Sequence, residues 1–219
     1  MQICGHLRCR LTKNSPRRTI STPAGVFCTL LASTSPICKR LFLKGGVHLD
    51  IIRAILDGIA MAAIFNGSAA ALVIANPRYL MDSYPKGIQK AAPEPMSKKE
   101  KRVNKIFTVI VMGACWLYGV SSTLYGGIHT FRLLFCTAYI HWIIVNFGDF
   151  FLLDCLLFQK WTKLIVIPGT EDNPIYQTKN WMKVIGIPEH FLLWPFIIVP
   201  FFSLVQTGIV MLIQFLFSF

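Results

Sequence analysis

Residues 141–154 read His141-Trp142-Ile143-Ile144-Val145-Asn146-Phe147-Gly148-Asp149-Phe150-Phe151-Leu152-Leu153-Asp154, which sets two carboxylates, an amide and an imidazole in an otherwise apolar run. These residue types can bind and pass a proton or hold a cation. Placed in hydrocarbon, a charged side chain costs at least about 2.5–3.5 kcal/mol, so an acid retained there marks either a function or a specific partner. On an α-helix Asp149 lies about 60° from Asn146 on one side and Asp154 about 80° on the other, so the three share one face about 140° wide. His141 lies about 80° from Asp149 and about 12 Å away along the axis, too far for direct pairing. Asp149 is the deeper acid, whereas Asp154 stands within reach of the head groups or Lys160. Two readings stay open for Asp149: a proton or cation site shared with Asn146, or a structural acid held by Asn66, Tyr118, Ser121, Ser122 or Gln206 of other segments. Arg53 and Asp57, spaced i, i+4, are expected to neutralise each other.

The elements that position these groups follow from composition. Of 219 residues 54% are apolar and 15% charged, with a mean hydropathy of +0.54, against roughly 45–50% and about 25% in soluble domains. The apolar residues fall in four blocks, about 51–75, 106–131, 133–158 and 191–219. Each is long enough for a helix to cross about 30 Å of hydrocarbon. The expected fold is all-α, a polytopic membrane protein with four transmembrane helices in a single domain over 49–219, with the bilayer as its first partner. Gly58, Ala62 and Asn66 recur at four-residue spacing as a close-packing face, and Pro195 and Pro200 should kink the last span. Cys115, Cys136 and Cys155 are expected as small buried apolar groups.

The loops 76–105 and 159–190 hold eight and four bases, against Arg53 and Arg132 on the other side of the spans after residue 48. By the positive-inside rule both large loops should be cytoplasmic, in an inner (plasma) membrane. Lys98, Lys99, Lys101 and Arg102 form a basic flank suited to anionic head groups, and beside a span they argue for topology rather than nucleic acid. Trp161, Trp181, Tyr79, Tyr84 and Trp194 are expected at the head-group level.

Residues 1–48 carry eight bases, no acid and four cysteines, Cys4, Cys9, Cys28 and Cys38, without zinc or disulfide-framework spacing. They suit an Arg-rich, Ser-rich targeting segment, although Pro16, Pro23 and Pro36 break any helix there. A second expectation is favoured: Lys44-Gly45-Gly46-Val47 can be encoded as a bacterial ribosome-binding sequence and Leu49 as a TTG start, which places the native product at 49–219.

No zinc motif, nucleophile elbow or phosphate loop occurs, and His129 and His141 stand at unmatched depths for a haem, so no cofactor or metal is expected and an enzyme is disfavoured. A lipid-modifying enzyme using Asp149, Asp154 and His141 is the weakest alternative. The acids of 167–174 lie in turn chemistry and are expected to be solvated.

Asn76-Pro77-Arg78, Tyr84-Pro85-Lys86-x-Ile88-Gln89, Asn146-x-x-Asp149-x-x-x-x-Asp154 and Pro168-Gly169-Thr170-Glu171 together resemble a group of uncharacterised bacterial four-span membrane proteins. The resemblance covers 49–219 and implies a bacterial inner-membrane protein without assigning an activity. Two functions are expected to compete: a small transporter-like or channel-like protein, homo-oligomeric because four spans enclose little room, with Asp149 as its acid; or a non-catalytic membrane partner that binds another protein or anionic lipid through its basic loops.

Overall fold

The computed structural model describes residues 49–217. The head 1–48, with its four cysteines and eight bases, and Ser218 lie outside the described residues. Helix α1 spans Ile51–Ala75. A 3₁₀ segment, Pro77–Ser83, and a short helix α2, Lys86–Ala91, lead to α3, Lys98–Tyr125. Helix α4 spans Phe131–Lys160 and α5 spans Thr178–Phe217. All four long helices are apolar enough to cross a membrane, and no strand occurs among the described residues. The chain is therefore a multi-pass, all-α membrane protein.

Helix α4 packs on α1 and α5, and α3 closes the ring against both of those helices. The close-packing face operates as expected. A Cβ at Gly58 would lie 2.7 Å from Ile144 Cδ1 and 3.3 Å from the His141 backbone, and one at Gly148 would lie 2.5 Å from Asn66 Nδ2. Leu117, Phe196 and Phe215 are among the large apolar side chains left exposed on the outer faces, an arrangement that lipid rather than water satisfies.

Two helix starts differ from expectation. Helix α3 begins at Lys98, not near 106, because Ser97 and Glu100 form a reciprocal capping box that satisfies the first amide donors. Helix α5 begins at Thr178, not at 191, and its 40 residues would reach roughly 60 Å at α-helical rise, about twice the hydrocarbon thickness. Its first part belongs to a cap built from the loops. Tyr84 donates to Ile165 O at 2.6 Å, Thr170 Oγ1 and Tyr176 OH lie 3.0 Å apart, and Arg78 holds Glu100 through two nitrogens at 2.6 and 3.2 Å. Ile88, Ile165 and Ile167 are fully buried there. Trp181 and Tyr84, expected at the head-group level, are instead core residues of this cap, where Phe158 stacks on Trp181 at 4.2 Å. Trp161 is exposed. Glu171 folds back onto Gly169 N–H at 2.9 Å. Of the three span cysteines only Cys115 is buried; Cys136 faces outward and Cys155 is half-buried.

Both α4 and α5 leave α-helical register. Asp149–Leu157, Met182–Gly186 and Pro188–Ile198 are π-helical, and the α register resumes at Val199–Phe217. Proline contributes to this in α5: in an i→i+5 register the missing N–H of Pro200 leaves Pro195 O free, and Tyr139 OH supplies that bond at 3.1 Å.

Candidate functional site

The π register changes what α4 presents. Five residues separate Asp149 from Asp154, which is about one turn when hydrogen bonds run i→i+5, so both acids face the same way; an α-helix would splay them about 140° apart. The π-helical part of α5 lies opposite and brings in His190, which hydropathy alone assigns to the loop 159–190. Asp154, expected near the head groups or Lys160, is buried instead. Its Oδ1 accepts from Trp181 Nε1 at 3.0 Å and its Oδ2 lies 3.0 Å from His190 Nε2. Asn146 holds the other side of the imidazole: its Nδ2 donates to His190 O at 3.0 Å and its Oδ1 lies 2.9 Å from His190 Nδ1.

These contacts assign the protons. A carbonyl only accepts, so the Asn146 amide nitrogen must face His190 O and its oxygen must face Nδ1, which makes Nδ1–H a donor. The Nε2 side of the imidazole lies 3.0 Å from Asp154 Oδ2, an ion pair when the imidazole is protonated, and Oδ2 is buried without a hydrogen bond.

Asp149 is half-buried and makes no side-chain hydrogen bond or ion pair to another described residue. It lines a cavity of about 100 Å³ with Asp154, Glu189, His190, Ser83 and Tyr84, and no Lys or Arg lines it. That volume admits several waters and offers them polar partners. Glu189 is held by Trp194 Nε1 at 3.2 Å. Among the described residues no three His, Cys, Asp or Glu side chains converge as metal ligands.

Of the partners suggested for Asp149, Asn66, Tyr118, Ser122 and Gln206 are engaged elsewhere, and Ser121 is exposed. Asn66 Nδ2 donates to Val145 O at 3.1 Å. Tyr118 OH donates to Asp57 at 3.0 Å, Ser122 Oγ also bonds Asp57, and Arg53 completes the expected i, i+4 pair at 3.5 Å. His141 is buried and lies 3.3 Å from Gln206 Nε2, apart from both acids. The four candidate residues of α4 therefore divide: Asn146, Asp149 and Asp154 share one site with His190, and His141 belongs to another. His190 could have been found from the apolar character of Val184, Ile185 and Ile187 ahead of it, which extends the last helix back through Pro188. Lys98, Lys99, Lys101 and Arg102 are all exposed around the start of α3, and Trp181, Tyr84 and the loop cap roof the acid site. Comparison of the chain with protein-family models, with curated proteins and with solved structures finds no match.

Proposed function

We propose that this multi-pass membrane protein is a small transporter-like protein that binds and releases a proton at Asp149, Asp154 and His190. The observation that carries this reading is the 3.0 Å contact of Asp154 Oδ2 with His190 Nε2, in one cavity with Asp149, a carboxyl that makes no hydrogen bond or ion pair of its own. In this reading His190 is charged and Asp154 ionised at rest, and a further proton enters from the loop-side cavity onto Asp149 and passes to Asp154 one turn away. It converts the attraction between Asp154 and His190 into a neutral acid beside a cation. That loosens the tie between α4 and α5 where both are π-helical, a rare register that frequently occurs at functional sites. Infrared difference spectroscopy on the reconstituted protein tests this directly. Acidification should raise a protonated-carboxyl band that Asp149→Asn removes while abundance stays normal. An unchanged band and an unchanged pH response in Asp149→Asn overturn the reading.

The surrounding proposals follow the same chemistry. With 12 bases on the two loops and two at the other end of the described chain, the loops are assigned to the cytoplasm of a bacterial inner membrane, consistent with the four-span group the motifs resemble. In a cysteine-free background, an added cysteine at Thr130 should label from outside intact cells and one at Ser97 should not. A homo-oligomer would supply the pathway that four helices enclose poorly. The exposed bases at the start of α3 favour one second reading, a membrane partner held by anionic lipid or protein. Replacing Lys98, Lys99, Lys101 and Arg102 by Gln would then abolish function, whereas Asp149→Asn would not.

A further inference from the structure

At the end of the bundle opposite the loops, a cavity of about 90 Å³ is lined by Arg53, Asp57, Ser122, Thr123 and Thr137 among others. Its floor is one helical turn from His141, because Thr137 precedes His141 by four residues and Ala54, also lining the cavity, precedes Gly58, whose Cα position abuts the His141 backbone. Thr123 links cavity to interior. Its Oγ1 donates to Gly119 O at 2.7 Å and accepts from Gln206 Nε2 at 3.2 Å.

The Gln206 amide has one permitted orientation. An indole N–H only donates, so Trp142 Nε1, 3.0 Å away, fixes Gln206 Oε1. The amide nitrogen then donates to Thr123 and to His141 Nδ1. His141 Nδ1 is therefore an acceptor and its proton sits on Nε2, which is buried without a hydrogen-bond partner. This is the opposite tautomeric arrangement to His190, whose Nδ1 donates.

We propose that His141 is a second proton-binding site of the bundle, gated by the Gln206 amide and reached from the end opposite the loops through the cavity at Arg53 and Asp57. A proton arriving on Nδ1 meets an N–H of Gln206, so the amide must turn and present Oε1. Turning it sets an amide N–H against the Trp142 indole N–H, donor against donor, and Trp142 loses its bond. Gly119 gives the amide room, since a Cβ there would lie 3.0 Å from Gln206 Oε1. Trp142 packs against Trp116 at 5.1 Å and Phe202 at 4.7 Å. With the fully buried Met61, Val145 and Val199 it forms the apolar layer between His141 and Asn146. Proton binding at His141 thus loosens the layer that separates the two polar ends. The charged groups that act on His141 are Asp57 and Arg53 of α1, of which Asp57 accepts from Tyr118 of α3, and α5 offers the uncharged Gln206.

The site is independent of the loop-end reading, and the test separates them. In the full chain labelled with ¹⁵N-histidine in micelles, the resonances that His141→Asn removes should show Nδ1 unprotonated and Nε2 protonated at neutral pH. Acidification through and below the ordinary histidine range should shift the Trp142 indole N–H resonance, identified in a ¹⁵N-tryptophan sample by its loss in Trp142→Phe. Gln206→Met should abolish that shift while His141 still titrates in the NMR spectrum, and His190→Asn should leave it intact. A neutral His141 carrying its proton on Nδ1 overturns the proposal without reference to any variant. So does a Trp142 indole resonance that stays unshifted as His141 titrates, or whose shift disappears in His190→Asn. Loss of the Asp149 infrared band with a normal Trp142 response sustains the two sites separately.

Discussion

The two polar ends of the bundle solve the burial of carboxylates in different ways. At the end away from the loops Asp57 has a guanidinium on its own helix, two hydroxyls from α3 and regular α-helical walls. Arg53 in turn donates to Ser122 O at 2.8 Å and lies over the Tyr125 ring. At the loop end three carboxylates line one cavity with a histidine and no Lys or Arg, and the helices that carry them are π-helical. Asp57 has a permanent counter-charge, whereas the loop-end carboxylates have only an imidazole and one another, the arrangement that the proposed proton site requires. The histidines repeat the contrast: Asn146 makes His190 a donor toward its own helix-spanning lock, and Gln206 makes His141 an acceptor whose remaining N–H is unpartnered.

The largest effect should separate the two carboxylates directly. Asp154→Leu leaves the Trp181 indole and the His190 imidazole buried without their partner and should cost about 3–5 kcal/mol of unfolding free energy in mixed micelles. Asp57→Leu should cost only about 1–2 kcal/mol, because Arg53 is 32% exposed and keeps its other contacts. Equal losses would break the distinction. Next, Gly148→Ala should cost about 1–3 kcal/mol by driving a methyl into Asn66 and Ala62. Gly67→Ala and Gly113→Ala, with nothing within 4 Å, should gain about 0.5–1 kcal/mol from helix propensity. A thermal shift of like sign at all three would show that α1 and α4 do not depend on that contact.

Smaller effects bear on the cap that roofs the loop-end site. Burial pushes the Tyr84 phenol well above the ordinary tyrosine range, so it remains a donor to Ile165 O. Its contribution is fully present below the ordinary tyrosine pKa and is lost as pH rises through the raised one. Tyr84→Phe should cost about 0.5–1.5 kcal/mol and should remove that alkaline loss from unfolding curves. The smallest change is expected from Glu171→Gln. The Gly169 N–H holds the Glu171 carboxyl below its usual range, so its contribution is present above the ordinary glutamate pKa and fades as pH falls through the lowered one. The protection factor of the Gly169 N–H, its exchange rate relative to the intrinsic rate at the same pH, should fall on acidification in the native chain and should be independent of pH in the variant.

Much of this architecture was legible in the amino-acid sequence. Hydropathy over about 20 residues is a sum of local transfer energies, so four spans and the intramembrane position of Asp149 and Asn146 needed no tertiary information. Gly58, Ala62 and Asn66 announced the α1–α4 contact for the same local reason: small side chains let backbones approach whatever lies opposite. The basic flank at Lys98 to Arg102 was equally plain. Other features depend on partners distant in sequence. His190 meets Asn146 across 44 residues and Gln206 meets His141 across 65. Neither pairing has a local signature; the apolar Val184, Ile185 and Ile187 extend the last helix back to His190 but do not say which residue it meets. Helical register was also hidden. Counting 100° per residue splayed Asp149 and Asp154, and the i→i+5 bonds that align them appear only in the folded α4. The protons were decided last and furthest from sequence, because a histidine's tautomer is set by whichever donor or acceptor the fold aims at each ring nitrogen, and here an asparagine and a glutamine aim opposite groups at His190 and His141.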